Sequence, residues 1–479
     1  MLPLCSQPGR FWHSGSAWYS ERNRIGMQTK AFFKTYQREI FFVLFCFFFY
    51  FAWSQLIPYN NAPDEDMRYD IAHFIFKNGV LPFGNEPEIV NPLWGQSYAY
   101  QPIFAYQIAA VFMQAGALFG MVEDQLYLAA RFANTLIATG TVVLVLAIGR
   151  KCFNGKGVYL FAVLVCLLPQ FVFISSYVNN DTLALFSTAL IFYSWILGMK
   201  RHWDLKSCVV MAVGLSLCFL SYYNAYGFIL CSVVLYAGDY LINRKKWPLR
   251  KFLGLGLVII GICAVLAGWW FVRSALLHDG DFFGMRTSAA LAEQLAQPAY
   301  KPSQHVTPMN SGYSILQMLF RSYHQPGQSV SQPWIFLTYI SFLGNFGFMS
   351  IPMSKIAYVV LTGIFGVGGV GFLLWWFKEA RKEEGARGHL WTATLILAIL
   401  LPIGLSIWYS YSSDYQPQGR YVITALIPLM YFLAKGLVWA ENALRSKGLA
   451  IPVTLLTIFA EVVVVFYAFC GNLAAAVLS

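Results

Sequence analysis

LYLAARFANTLIATGTVVLVLAIGRKCFNGK, residues 126–156, is the stretch on which the architecture turns. Residues 126–149 hold no carboxylate and a single arginine, Arg131. Roughly 20 such residues cross the hydrocarbon core of a bilayer as a helix. The run closes on Arg150, Lys151 and Lys156. Lys and Arg collect on the cytoplasmic side of membrane proteins, so this end of the span is inside. Upstream, Arg22, Arg24, Lys30, Lys34 and Arg38 precede the apolar run 40–57, which places the N-terminus inside and residue 58 outside. Residue 150 can return inside only if the apolar segment 103–121 does not cross. We therefore expect 103–121 to be a juxtamembrane helix on the outer surface, with Pro102 at its start.

Working outward, further apolar runs fall at 156–176, 181–199, 206–222, 225–242, 252–272, 355–376, 390–410, 421–440 and 449–470. The basic clusters at 150–156, 200–206, 243–251, 378–387 and 445–447 then all lie inside. The expectation is an all-α polytopic membrane protein with about eleven transmembrane helices and an external C-terminus. Four segments follow: a cytoplasmic N-terminal segment 1–39; a transmembrane core 40–272 with the first external loop 58–125; a second external loop 273–354; and C-terminal helices 355–479. The polar stretch Gln297–Gln332 reads as a cover over a site. Met27 reads as a candidate true start, and no cleavable signal peptide precedes residue 40.

The composition agrees. Of 479 residues, 58% are hydrophobic and 11% charged, against about 25% charged in soluble domains. The net charge of +11 is spread in short clusters between apolar runs, which excludes a nucleic-acid surface. None of the nine cysteines falls in either long loop, so no disulfide framework or C-x-x-C metal site is readable.

The first external loop contains NAPDEDMRYDIAHFIFKNG, residues 61–79. Met67, Ile71, Phe74 and Ile75 recur at helical spacing, with Pro63 and Gly79 as start and stop signals. Asp64, Glu65 and Asp66 occupy the first turn. Two readings stay open: acids that complement the helix dipole, or a general base at the membrane surface, where apolar surroundings raise a carboxyl pKa. Arg68, one turn on, would instead hold Asp64 ionised. His73 is a candidate ligand or second base, or a structural histidine. Asp181, in Asn179-Asn180-Asp181, is a second external acid or a helix N-cap.

Arg131, Arg273 and Arg420 break the charge pattern at outer span ends. They either snorkel to headgroups or form a phosphate clamp, because the guanidinium fork matches phosphate oxygens. Gly419 would let a headgroup approach the backbone beside Arg420.

Together these stretches resemble the GT-C superfamily of membrane glycosyltransferases, in the branch of protein O-mannosyltransferases and lipid A aminoarabinose transferases. The matching pieces are Pro63-Asp64-Glu65 to Pro82, Tyr100-Gln101-Pro102 to Tyr106, Ala130-Arg131-Phe132, Asn179-Asn180-Asp181, Trp269 to Arg273, Ser341 to Phe348, and Gln418-Gly419-Arg420-Tyr421. The resemblance implies inverting transfer of a sugar from a polyprenyl-phosphate donor to a lipid, glycan or protein acceptor, at the non-cytoplasmic face. It implies Asp64 as base, with Glu65 and Asp181 supporting. Arg420, Arg273 and Arg131 would hold the donor phosphate, and Tyr100, Gln101, Tyr421 and His73 would contact substrate. A divalent cation, Mg or Mn, would sit on Asp64 and Asp181. A bacterial inner membrane is the expected location. The competing reading is a transporter or flippase for a lipid-linked saccharide. It would use ionisable residues and broken helices at mid-membrane, where Glu461 and the glycines 366, 368 and 369 are the candidates.

Overall fold

The computed structural model describes residues 15–323, 332–381 and 385–478, with side chains from residue 33 onward except that of Ala380. The side chains of Arg22, Arg24, Met27 and Lys30 lie outside that description. So do part of the expected cover (324–331) and part of the basic cluster 378–387 (382–384). Contacts divide the chain into a unit ending at Phe45 and a compact unit from Cys46 onward.

Helices dominate. The first is α1 (Gly15–Leu56). The loop helix α2 (Glu65–Asn78) ends, as Gly79 foretells, on a left-handed residue (φ 66°) whose N–H returns to the Ile75 carbonyl. It packs on α3 (Phe104–Leu118), which packs in turn on α4 (Leu126–Cys152). The buried face of α3 is Ala105, Tyr106, Ala109, Ala110 and Met113, while Val111 and Leu118 remain exposed.

Next come α5 (Lys156–Cys166), α6 (Pro169–Ile174), α7 (Asp181–Arg201), α8 (Leu205–Phe219), α9 (Gly227–Asn243), α10 (Leu249–Leu266) and α11 (Gly268–Leu277). The second long loop holds α12 (Met285–Leu295), α13 (Ile315–Phe320), the apolar α14 (Trp334–Gly344) and a two-residue hairpin, β1 (Asn345–Phe346) against β2 (Ile351–Pro352). The C-terminal helices are α15 (Lys355–Trp375), α16 (Ala386–Ser412), α17 (Leu426–Ser446) and α18 (Val453–Tyr467).

Among the described residues, nine helices are long and apolar enough to cross a membrane. The chain is a multi-pass integral membrane protein. Two of the expected spans are shorter: α8 has 15 residues, and 156–176 is broken. Pro169 cannot donate the N–H a continuous helix needs, so α5 stops at Cys166 and α6 restarts with the proline in its first turn.

Beyond α6, the irregular residues 175–180 are buried throughout. Non-helical backbone at such depth survives only where protein supplies its hydrogen bonds. Here Asn134 donates to the carbonyls of Tyr177 (2.6 Å) and Asn179 (3.1 Å), and Asn179 donates to that of Ile174 (2.7 Å).

The glycines of α15 do not break it. Gly368 lies against the Leu433 backbone of α17, and Gly371 and Gly436 leave no room for a Cβ between the two helices, whereas Gly366 and Gly369 face open space. Close backbone packing explains the small residues at this crossing. Glu461, in α18, is buried, and neither carboxyl oxygen has a hydrogen-bond partner.

Candidate functional site

Asp64 is the residue before α2, and its backbone is left-handed (φ 59°, ψ 21°). Such a conformation is uncommon for residues other than glycine, though Asp and Asn tolerate it best. The turn separates two adjacent carboxylates. Glu65 points into the scaffold and is fully buried, while the Asp64 side chain keeps 27% of its exposure.

The Asp64 carboxylate lies among cations. Arg420 Nη2 is 2.5 Å from Oδ2, and Arg68 Nη2 is 3.5 Å from the same oxygen. Arg68 Nη1 is 3.3 Å from Asp181 Oδ2 at the start of α7, and both of those side chains are almost completely buried. Arg420 also donates to the Pro63 carbonyl (3.4 Å) and the Tyr421 hydroxyl (3.2 Å), while its Nε is buried with no partner. The Tyr98 hydroxyl bonds Asp64, and its ring lies 5.1 Å from the Arg68 guanidinium. Burial works against ionisation of Asp64, but Arg420 and Arg68 outweigh it and hold the carboxyl below the usual carboxylate value. Of the two possibilities left open above, the structure favours the one in which Arg68 holds Asp64 ionised, joined here by Arg420, and not a pKa raised by apolar surroundings.

Thus Asp64, Asp181, Arg420 and Tyr421, remote in sequence, come together. The other expected residues are placed differently. Arg131 spends all its N–H groups on protein: Nε and Nη2 bond the two Glu65 oxygens (2.7 and 2.6 Å), Nη1 bonds the Ser54 and Ile57 carbonyls, and Nη2 also bonds that of Pro58. Glu65 in turn accepts from the Val178 and Asn60 N–H groups. No donor of Arg131 is left for a phosphate, and no lone pair of Glu65 faces the Asp64 side.

Arg273 stacks on the Trp270 ring and donates to the Pro82 carbonyl (2.7 Å), bracing the first long loop. His73 bonds Glu123 (2.5 Å) and stacks on Tyr69, away from Asp64. The Tyr100 ring packs against His278, and Gln101 keeps a buried, unpartnered Oε1.

Gly419 serves close packing. A Cβ there would collide with the Phe342 and Ser341 backbone of α14, and its N–H donates to Ser341 Oγ (2.7 Å). The expectation of a headgroup against Gly419 is corrected accordingly: α14 occupies that face. Beside this contact opens an apolar cavity of about 290 Å³, lined by Trp334, Tyr339, Phe342, Phe365, Val422 and Leu429 among others.

A divalent cation does not fit. Among the described residues no group of three or more His, Cys, Asp or Glu side chains gathers. The two acids expected to hold Mg or Mn are already joined by Arg68 and balanced by Arg68 and Arg420.

The fold has solved counterparts. The archaeal oligosaccharyltransferase AglB of Archaeoglobus fulgidus, solved with an inhibitory peptide and a dolichol-phosphate, superposes with a TM-score of 0.56 at 12% identity, over 93% of this chain and 56% of that one. The chain shares the fold of this membrane protein. ArnT from Cupriavidus metallidurans bound to undecaprenyl phosphate gives a TM-score of 0.51 at 13% identity, over 92% of this chain and 74% of that one. Residues 97–270 match the family described as dolichyl-phosphate-mannose-protein mannosyltransferase. An uncharacterised protein of Aquifex aeolicus (strain VF5) is 24% identical over 396 residues, 79% of this chain and 71% of the relative. This chain spans little more than half the length of the archaeal protein.

Sequence reasoning did not foresee the contact of Tyr98 with Asp64 or the second reach of Arg68. Arg68 was visible as the i,i+4 partner of Asp64. Its contact with Asp181, 113 positions away, carries no local signal.

Proposed function

We propose that the chain is a glycosyltransferase that moves a sugar from a polyprenyl-phosphate donor to an acceptor at the non-cytoplasmic face, with inversion. The observation that carries this reading is the Asp64–Arg420 pair beside an apolar cavity. In this reading Asp64 is the carboxylate base and Arg420 a guanidinium with an unused Nε donor, two residues before Val422, which lines an apolar cavity suited to an isoprenoid chain. The polyprenyl phosphates named in the solved relatives support the donor class.

In the proposed step the acceptor O–H gives its proton to Asp64. Its oxygen bonds the anomeric carbon on the face opposite the phosphate. The anomeric carbon–phosphate oxygen bond breaks, and the electron pair leaves with the polyprenyl phosphate, whose charge falls on Arg420. In the resting site Arg420 depresses the basicity of Asp64. A donor phosphate competes for the same guanidinium and so raises that basicity when the donor is bound. Glu65 and Arg131 act in this reading as scaffold. The segment 285–323 acts as a cover, pinned by Gln297 N–H on the Leu93 carbonyl and Met309 N–H on that of Tyr411. A bacterial inner membrane remains the proposed location. The unbroken α15 favours this reading over a transporter.

The test is purified chain with polyprenyl-phosphate sugars and candidate acceptors, scored for released polyprenyl phosphate and for the anomeric configuration of the product. Retention of configuration, or no release with any donor while lipid-linked saccharide crosses liposomes, would overturn it.

A further inference from the structure

We propose that Arg68 is a built-in counter-cation, standing between Asp64 and Asp181 where a divalent ion would otherwise be required, so that removing its charge opens a metal site. Its positioning role in transfer rests on the function proposed above; its exclusion of metal does not.

Two carboxylates directed at one buried point repel unless a cation separates them. In this chain the separator is covalent. Helix α2 places residue 68 one turn after Asp64, and the guanidinium spans to Asp181 with one nitrogen for each acid, at 3.5 and 3.3 Å. The Tyr98 ring covers it. Arg68 and Asp181 are each about 1% exposed, so neither exchanges its partner for water. Arg420 supplies the second positive charge on Asp64. Two guanidiniums and two carboxylates sum to zero, and a dication entering this set would be opposed by both. Small hard cations take oxygen ligands only. With Arg68 truncated, the two carboxylates would face a vacated volume. The neighbouring Asn180 also carries a buried side-chain oxygen with no partner.

The probe is Mn²⁺ alone, titrated into the purified full-length chain and read by the loss of the free-ion EPR signal. The wild type should take up no ion at this site. Arg68→Ala should take up one ion per chain, Arg68→Lys should behave as wild type, and adding Asp181→Asn to Arg68→Ala should abolish the uptake. A role limited to packing would not produce a new metal site or its rescue by lysine. Arg68→Met, which keeps the stem of the side chain, replaces Arg68→Ala if the latter is not monodisperse. Uptake by the wild type that Asp181→Asn removes would overturn the proposal, as would absence of uptake in a folded Arg68→Ala or Arg68→Met chain. In a parallel transfer assay the wild type should keep full rate in EDTA. Loss of rate in EDTA, restored by Mn²⁺, also overturns it. The predicted Mn²⁺ pattern without any transfer would instead sink the proposed function and leave the metal exclusion by Arg68 standing.

Discussion

Arg420 reaches across 356 positions of sequence to set its Nη2 2.5 Å from Oδ2 of Asp64. One residue begins the loop helix and the other opens the turn before α17. Their meeting, with Glu65 held by Arg131, separates the roles of the two adjacent carboxylates.

Replacing Asp64 by Asn should lower sugar transfer roughly 100- to 10,000-fold, the range of a positioned general base, with thermal stability largely kept. Asparagine tolerates the left-handed backbone that Asp64 occupies. Alanine does not, so Asp64→Ala should add a stability loss of about 1–2 kcal/mol. Transfer rates and unfolding midpoints of the two variants check this; full turnover by Asp64→Asn would remove the base from the mechanism.

Asp70 offers a pH-dependent prediction. Burial, and then Asp66, push its carboxyl up to about 6. Its folded value is above the unfolded one, so ionisation weakens the fold. That stability is present below the ordinary carboxylate range and lost as pH rises through about 6. Asp70→Asn should therefore raise the unfolding midpoint at pH 7 and leave it nearly unchanged at pH 4. Equal shifts at both pH values would contradict the assignment.

The Glu65–Arg131 pair is scaffold in the proposed mechanism. Removing one member strands a buried charge, a loss of about 3–5 kcal/mol. Arg131→Ala and Glu65→Gln should thus fail at the level of folded yield. A well-folded Arg131→Ala whose only defect is weaker donor binding would restore the phosphate-ligand reading.

Gly419→Ala should displace the turn that carries Arg420, because the Phe342 backbone already fills the space a methyl needs. We expect a loss of about 1–3 kcal/mol from overpacking and a fall in transfer larger than the stability loss explains. Normal activity in this variant would show that Arg420 is positioned by something else.

Much of this was legible because membrane proteins write orientation into charge. The basic clusters put residues 64, 181 and 420 on one common side, and the structure does bring the three together, while the extent of α2 follows from its apolar spacing and Gly79. Adjacent carboxylates were harder. Nothing in the order Asp64-Glu65 says that a left-handed turn sends one to Arg420 and the other to Arg131. Arg131 read as one more displaced arginine, since its acceptors, Glu65 and three backbone carbonyls, are gathered only by tertiary structure. Pro169 was visible but lay inside an apolar run long enough to hide the break. The apolar α14 was lost beside a polar stretch, although its contact with Gly419 seats the site.

The carbonyls that Arg131 collects belong to the end of α1, at Ser54, Ile57 and Pro58. Biosynthesis therefore delivers the first helix to the membrane with that end unsupplied, and it stays so until the fourth helix emerges. Val178 must follow before the second oxygen bond of Glu65 can form. The turn that carries Asp64 acquires its supports late, and a nascent chain halted before residue 131 should expose the loop around residue 64 to protease while one halted well past residue 181 should not.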